Sequence, residues 1–414
     1  MQVDTKRLRA DIEANGEFGA IEAEGYGRTV LAGTEPNGEA RDYFVERLRD
    51  ADLDVRVDAV GNIVGRWVPE TADPNAEPIA AGSHLDSVRE GGIFDGPLGV
   101  YAALESVRAL QESDRELTRP VDIVCFTEEE GQRFGNLIGS SVASSHTSVE
   151  DALALTDEDG VRFEEGLERI GYRGTGQLDA HDWDAYLELH IEQGRRLEDA
   201  GLPVGVVTAI TGITQADVTI RGEADHAGTT SMKHRTDALA AASEFVLAVE
   251  EVANNVVTTS SESAVGTVGR QVVKPNSTNV IPGEDRLGVD IRDVEPESIT
   301  TIIDEATACL DRLERERGVK TEFTPDLDID PVPMSDRCRE GMLAAGANAG
   351  YDVPELVSGA GHDPMRIAAA TDAGMLFAQS RDGISHSPKE WTDWDSCASA
   401  THVLAESVAV MATE

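Results

Sequence analysis

The chain has 414 residues, enough for two domains, and 40% of them are apolar, which supplies real cores and excludes a disordered chain. Its 78 acidic side chains against 35 basic ones leave a net charge of −43, and only five of the basic residues are lysines. Acid spread along the whole length excludes nucleic acid and anionic membranes as partners, which need basic surface; it matches proteins adapted to multimolar salt, where charges are screened over about 3 Å.

The N-terminal stretch MQVDTKRLRADIEANGEFG has no apolar segment of the signal-peptide kind, and no apolar run approaches the ~18 residues of a membrane span. Four cysteines (Cys125, Cys309, Cys338, Cys397) are scattered without a CxxC pair, so free thiols in a reducing cytoplasm are expected. Residues 4–52 read mainly as helix, with Phe44, Val45, Leu48 and Leu53 as apolar positions of its later part. DVRVDAVGNIVGRW alternates around a Gly-Asn turn and predicts a hairpin. From residue 77 the texture becomes strand, helix, strand: EPIAAGS, PLGVYAALESVRAL, PVDIVCF. Further strands follow at DAYLELHI and GMLFAQS. That alternation predicts an α/β/α layered domain with a mixed, largely buried sheet.

Between 212 and 328 the pattern changes to a β-α-β-β-α-β order, with TQADVTIRGEA alternating at period two and two long amphipathic helices. It predicts an inserted two-layer domain at 212–328, with residues 1–211 and 329–414 forming the larger domain around it.

Polar, titratable groups follow the strands of the larger domain. His84, Asp86 and Asp95 come after IAAGS. Glu128, Glu129 and Glu130 come after VDIVCFT, His190, Glu192 and Gln193 lie in or after AYLELHI, and His386 comes after MLFAQS. The carboxyl edge of an open α/β sheet is where ligands bind. Alone, His84 also reads as a structural histidine and TEEEG as solvated charge. Together, imidazoles and carboxylates from separate segments make a ligand inventory for two divalent cations without thiolate. His84 and Asp95 then read as two of the ligands, with Asp95 between the ions and Asp86 orienting the His84 ring.

The segments GSHLDSVREGGIFDGPLGV, FTEEEGQRFGNLIGS, ELHIEQG, DHAGTTSM, PNSTNVIPG, DIRD, SGAGHDPM and SRDGISHSP occur in that order between residues 82 and 388, within a resemblance that runs from about residue 28 to 405. They resemble the hydantoinase/carbamoylase-type metal-dependent amidases, which include N-carbamoyl-L-amino-acid hydrolases, allantoate amidohydrolases and β-ureidopropionases. The resemblance implies that His84, Asp95 and His190 hold one metal and Asp95, Glu130 and His386 the other, with Glu129 as general base. Zinc is the first expectation, with manganese, cobalt or nickel as alternatives. The inserted domain resembles a lid and homodimerisation domain, in which His226 would stabilise the oxyanion and Arg292 would clamp a substrate carboxylate. Gln193 and Asn279 would bind polar groups of the substrate, and Gly359 and Ala360 would offer backbone contacts. Ser231, Pro364 and Gln379 depart from the family pattern and bear on the shape of the substrate pocket.

The expectation is therefore a cytoplasmic, salt-adapted, homodimeric amidohydrolase of a linear amide or ureide carrying a carboxylate. An N-carbamoyl-L-amino acid is the first substrate expected and allantoate the nearest alternative. An aminoacylase or dipeptidase is further off, because HIEQG and PNSTNVIPG match the carbamoylase side better. A non-catalytic scaffold of the same fold is opposed by competent residues at all five ligand positions and at Glu129.

Overall fold

A computed structural model describes residues 1–413. The chain forms two compact units, one of 1–208, 334–356 and 361–413, the other of 209–333 with 357–360. The second unit thus begins three residues before 212, ends five residues after 328, and takes back a short later segment.

In the first unit the sheet runs in the order Asp54–Val57, Ile63–Trp67, Val121–Phe126, Ile79–His84, Ala185–Ile191, Asp372–Ala378, Val204–Ile210. Its centre is parallel and its flanks antiparallel. Successive strand residues point to opposite faces. Ala81, Ile123, Leu187 and Leu376 pack with Leu98, Tyr101, Val403 and Val408 of helices Pro97–Gln111 and Trp394–Met411. Ala80, Val124, Phe126 and Tyr186 pack the other way, against Trp183, Ala143 and Ile367. A sheet covered on both faces explains its near-continuous apolar strands. The layered α/β/α reading holds. Gly82 shows how close the strands lie: a Cβ there would overlap the Val124 carbonyl.

Several stretches depart from the sequence reading, among them helices Asp336–Ala349 and Trp394–Met411, for which it gives no element. Residues 4–52 are two helices, Thr5–Gly16 and Glu35–Asp50, with an irregular segment between them. Gly19, Gly25 and Gly33 sit there at φ +67°, +115° and +70°, which a helix does not allow. Val204–Ile210 is a strand where the sequence pattern predicts none.

The second unit is a four-stranded antiparallel sheet, Lys320–Ile329, Gly212–Arg221, Glu284–Asp293, Val265–Lys274, with helices Ala238–Thr259 and Pro296–Arg317 on one face. Every second residue of Gly212–Arg221 is buried, so Val218 and Ile220 join Phe245, Val249, Ile302 and Leu313 in its core. The other face carries polar pairs such as Arg221 with Glu322. All four cysteines are buried and free, and no helix of the described residues is long and apolar enough to cross a membrane.

Candidate metal centre

Strand register assembles the centre. Gly82 lies opposite Glu188 in the parallel pair, so two residues further on His84 comes level with His190; their rings stand 5.8 Å apart. Both side chains fall on the same sheet face, by the even spacing from 82 to 84 and from 188 to 190. His84 Nδ1 lies 3.1 Å from the Asp86 carbonyl and His190 Nδ1 3.1 Å from the Ile191 carbonyl. A carbonyl only accepts, so each Nδ1 carries a hydrogen, and in the neutral ring each Nε2 is left with the lone pair.

Asp95 arrives on the loop between strand Ile79–His84 and helix Pro97–Gln111. Gly96, at φ +82°, turns the chain into that helix. Any side chain at 96 would collide with the His84 ring, since a Cβ would sit 2.5 Å from Cε1 and 2.6 Å from Nδ1. The Asp95 oxygens divide between two sets of partners. Oδ1 lies 3.1 Å from His190 Nε2 and 3.8 Å from His84 Nε2, while Oδ2 lies 3.5 Å from His386 Nε2. His386 Nε2 is also 3.5 Å from Glu130 Oε2. The structure therefore gathers His84, Asp95 and His190 into one potential metal-holding group and Asp95, Glu130 and His386 into another.

The donor set suits cations. His84 Nε2, His190 Nε2 and Glu130 Oε1 are buried without a hydrogen-bond partner, and buried polar atoms are costly to leave so. All donors are imidazole nitrogen or carboxylate oxygen, a set suited to zinc and its first-row neighbours. Burial and the carboxylates around them push the Glu129 and Glu130 carboxyls well above the usual range. Burial also opposes ionisation of Asp95, but His190, His84 and His386 outweigh it and hold that carboxyl well below the usual range. Glu129 is buried, with Oε2 3.7 Å from His84 Nε2, next to both groups yet outside the Asp95 sets.

Neighbouring acids take other tasks. Glu128, at φ +54°, accepts the N–H groups of Arg133 and Phe134 at 2.7 Å each and shapes the turn that presents Glu129 and Glu130. Glu192 accepts the Arg196 and Leu197 N–H groups and caps helix Arg196–Ala200. Asp86 steadies His84 through its backbone carbonyl rather than its carboxylate; the latter accepts Glu130 N–H at 3.2 Å. Gln193 donates Nε2 to Asp95 Oδ2 and to Ser385 Oγ, 3.0 Å each, leaving a buried Oε1 without a partner.

In the second unit, ribbon 225–226/280–281 sets His226 opposite Val280, and the Asn279 carbonyl accepts Ala227 N–H at 2.9 Å. His226 Nδ1 accepts N–H groups from Gly228 at 3.0 Å and Thr229 at 3.2 Å, which puts the hydrogen of the neutral ring on an exposed Nε2. Arg292 donates Nε and Nη2 to the two Asp290 oxygens at 2.8 and 3.1 Å, and Nη1 to the Gly359 carbonyl at 3.0 Å. Ala360 N–H is held by Ser358 Oγ at 3.2 Å.

Three residues beside the first unit's centre escaped the sequence reading. His362 is fully buried, with its ring 4.4 Å from His190 and neither nitrogen hydrogen-bonded. Its place in SGAGHDPM was the available signal. Ser385, the last residue of SRDGIS, and Glu390, five residues further on, both contact Asp95, and no pattern in the sequence marks either.

The profile of peptidase family M20/M25/M40 matches residues 78–409. The chain is 38% identical over 409 residues to the N-carbamoyl-L-amino-acid amidohydrolase of Paenarthrobacter aurescens, covering 97% of each. It is 36% identical to the allantoate amidohydrolase of Bacillus subtilis (strain 168), over 92% of this chain and 91% of that protein. A solved amidase of the hydantoinase/carbamoylase family from Burkholderia multivorans superposes with a TM-score of 0.94 at 33% identity, covering 100% of this chain and 99% of that one.

Proposed function

From a chain that belongs to the M20/M25/M40 peptidase family and its hydantoinase/carbamoylase amidases, we propose a hydrolase of N-carbamoyl-L-amino acids, releasing the amino acid, ammonia and CO₂. The enzyme is an amidohydrolase acting on carbon–nitrogen bonds other than peptide bonds, in a family of dinuclear metallohydrolases. The carrying observation is the divided Asp95 carboxylate, each oxygen facing its own histidine set. His84, Asp95 and His190 would hold one cation and Asp95, Glu130 and His386 the other, zinc first among the candidates. When bound, the pair would polarise the scissile carbonyl and lower the pKa of the attacking water.

Glu129 takes the proton of that water and returns it to the departing nitrogen. His226 donates its Nε2–H to the oxygen that gains charge as water adds to the ureido carbon. Arg292 binds the substrate carboxylate, with Gly359 and Ala360 fixing the neighbouring backbone, while Gln193 and Asn279 meet its polar groups. The second unit also carries homodimerisation in this reading: Val265–Lys274 is an edge strand, and Val265, Val272 and Leu247 are exposed.

Three relatives named for N-carbamoyl-L-amino acids stand at 37–38% identity, and the allantoate enzyme at 36%, so allantoate is the second substrate to assay. The test is ammonia release in multimolar KCl from L- and D-carbamoyl amino acids and allantoate, with free amino acid followed for N-acetyl amino acids, alongside Glu129→Gln. Loss of a general base costs about 10²–10⁴-fold in rate, and here the variant should keep its metal content. Full activity of Glu129→Gln would remove the base assignment. Release from allantoate alone would replace the carbamoyl substrate.

A further inference from the structure

The two ligand groups rest on different kinds of backbone. His84 ends a strand and His190 lies within one, both buried and both tied through Nδ1 to a carbonyl. Glu130 stands in an isolated bridge to Asn136, and His386 in a loop at φ +54° with its side chain 53% exposed. Left to themselves, loops hold a metal geometry less well than strands do.

Glu390 joins those loops. It is buried four residues after His386, and its Oε1 accepts the N–H groups of Phe94 and Asp95, 3.0 Å each, across 295 residues of sequence in the second case. Its Oε2 lies 3.4 Å from Ser385 Oγ, and that hydroxyl donates to Asp95 Oδ2 at 2.9 Å. A Cβ on Gly92 would overlap the Glu390 carboxylate, so only glycine fits there. Arg28, fully buried, binds the carbonyls of Gly92 at 3.0 Å and Leu85 at 3.1 Å and brings positive charge near Glu390. The backbone of one presumed ligand and the loop of another thus meet on one carboxylate, and Ser385 beside it holds the first ligand's side chain.

We propose that Glu390 is the positioning residue of the second cation site, setting the spacing between Asp95 Oδ2 and His386 Nε2. Without it, the Asp95–Glu130–His386 group loses its cation while the His84–Asp95–His190 group keeps its own. The proposal rests on the two-cation reading above. What the fold needs at 390 is an acceptor for two N–H groups and a partner for Ser385, which a glutamine amide also provides.

The test is zinc content of the full-length protein, dialysed at a fixed buffered free zinc concentration and measured by elemental analysis, with circular dichroism to check the fold. Wild type and Glu390→Gln should hold two zinc ions per chain and Glu390→Ala one, as should His386→Ala. Titration should show the second zinc of Glu390→Ala weakened at least 10-fold. Ser385→Ala, which spares the buried carboxylate, should weaken the same zinc by a smaller factor and so decides the matter if Glu390→Ala does not fold. Two zinc ions of unchanged affinity in Glu390→Ala, or in Ser385→Ala where that variant decides, would overturn the proposal, as would equal loss of both. Fewer than two in wild type would overturn the two-cation reading, and the proposal with it.

Discussion

Replacing Arg292 by alanine should raise KM for carboxylate-bearing ureides and leave their neutral carboxamides nearly untouched. A guanidinium has five N–H donors. Three are engaged, two by Asp290 and one by the Gly359 carbonyl, so one hydrogen on each Nη remains as a fork for a carboxylate. Hydrogen bonds to charged groups are worth about 1.5–3 kcal/mol. Asp290 already offsets the charge and the side chain is 30% exposed, so the lower end applies to the pair, about 1.5–2 kcal/mol. At ~1.4 kcal/mol per factor of ten, that is roughly a 10–30-fold rise in KM. Binding lost equally from ground and transition states leaves kcat unchanged. The assay compares initial rates of ammonia release from an N-carbamoyl amino acid and from its carboxamide. Equal effects on the two substrates would refute the clamp and leave Arg292 as the tie between Asp290 and Gly359. Arg292→Lys should recover little, because a point charge cannot serve Asp290, Gly359 and substrate together.

Gly96→Ala should lower zinc content below two per chain. The new methyl group falls 2.5 Å from His84 Cε1, at a φ of +82° that alanine resists, so the ring must leave its position; an unchanged zinc titration would contradict this. Asp237→Ala removes the side chain that accepts Ala240 N–H at 3.1 Å at the start of helix Ala238–Thr259. It should cost about 1 kcal/mol in urea unfolding followed on the second unit, with zinc content unaffected.

The parts of this molecule written in side-chain periodicity were open to reading beforehand. The succession of strand and helix from residue 77 onward carried the layered sheet and put His84 and His190 at the carboxyl ends of strands, whereas the level at which the two meet is set by the parallel pairing. The inserted β-α-β-β-α-β unit was legible by period as well, and its two central strands bury every second residue. What stayed hidden depends on backbone hydrogen bonds that leave no pattern. In TEEEG three adjacent glutamates look alike, yet Glu128 binds two N–H groups of its own turn while Glu129 and Glu130 face the donors. In HIEQG, Glu192 is a helix cap. The stretch 17–34 was read into the surrounding helices because its glycines are dispersed among good helix formers. There Arg28 is spent on carbonyls of the Asp95 loop, a role set by tertiary contact alone.

The presumed ligands come from four segments of the first unit and from none of the second. A cation that binds only the folded arrangement stabilises it by RT ln(1 + [L]/Kd), about 2.7 kcal/mol at 100 times Kd. That free energy acts on the segments it ties together: the ends of strands Ile79–His84 and Ala185–Ile191, the turn at Glu130 and the loop at His386. It has no direct hold on strand Glu284–Asp293, whose core of Leu287, Val289 and Ile291 packs on helices Ala238–Thr259 and Pro296–Arg317. Chelation followed by amide hydrogen exchange should therefore speed exchange in the first group of segments by up to about 100-fold where exchange follows global opening of the unit. The Glu284–Asp293 amides should keep their rates. A uniform acceleration across both groups would mean that the cations stabilise the chain by some route other than these ligands, and no acceleration in either would remove the metal centre from the account of stability.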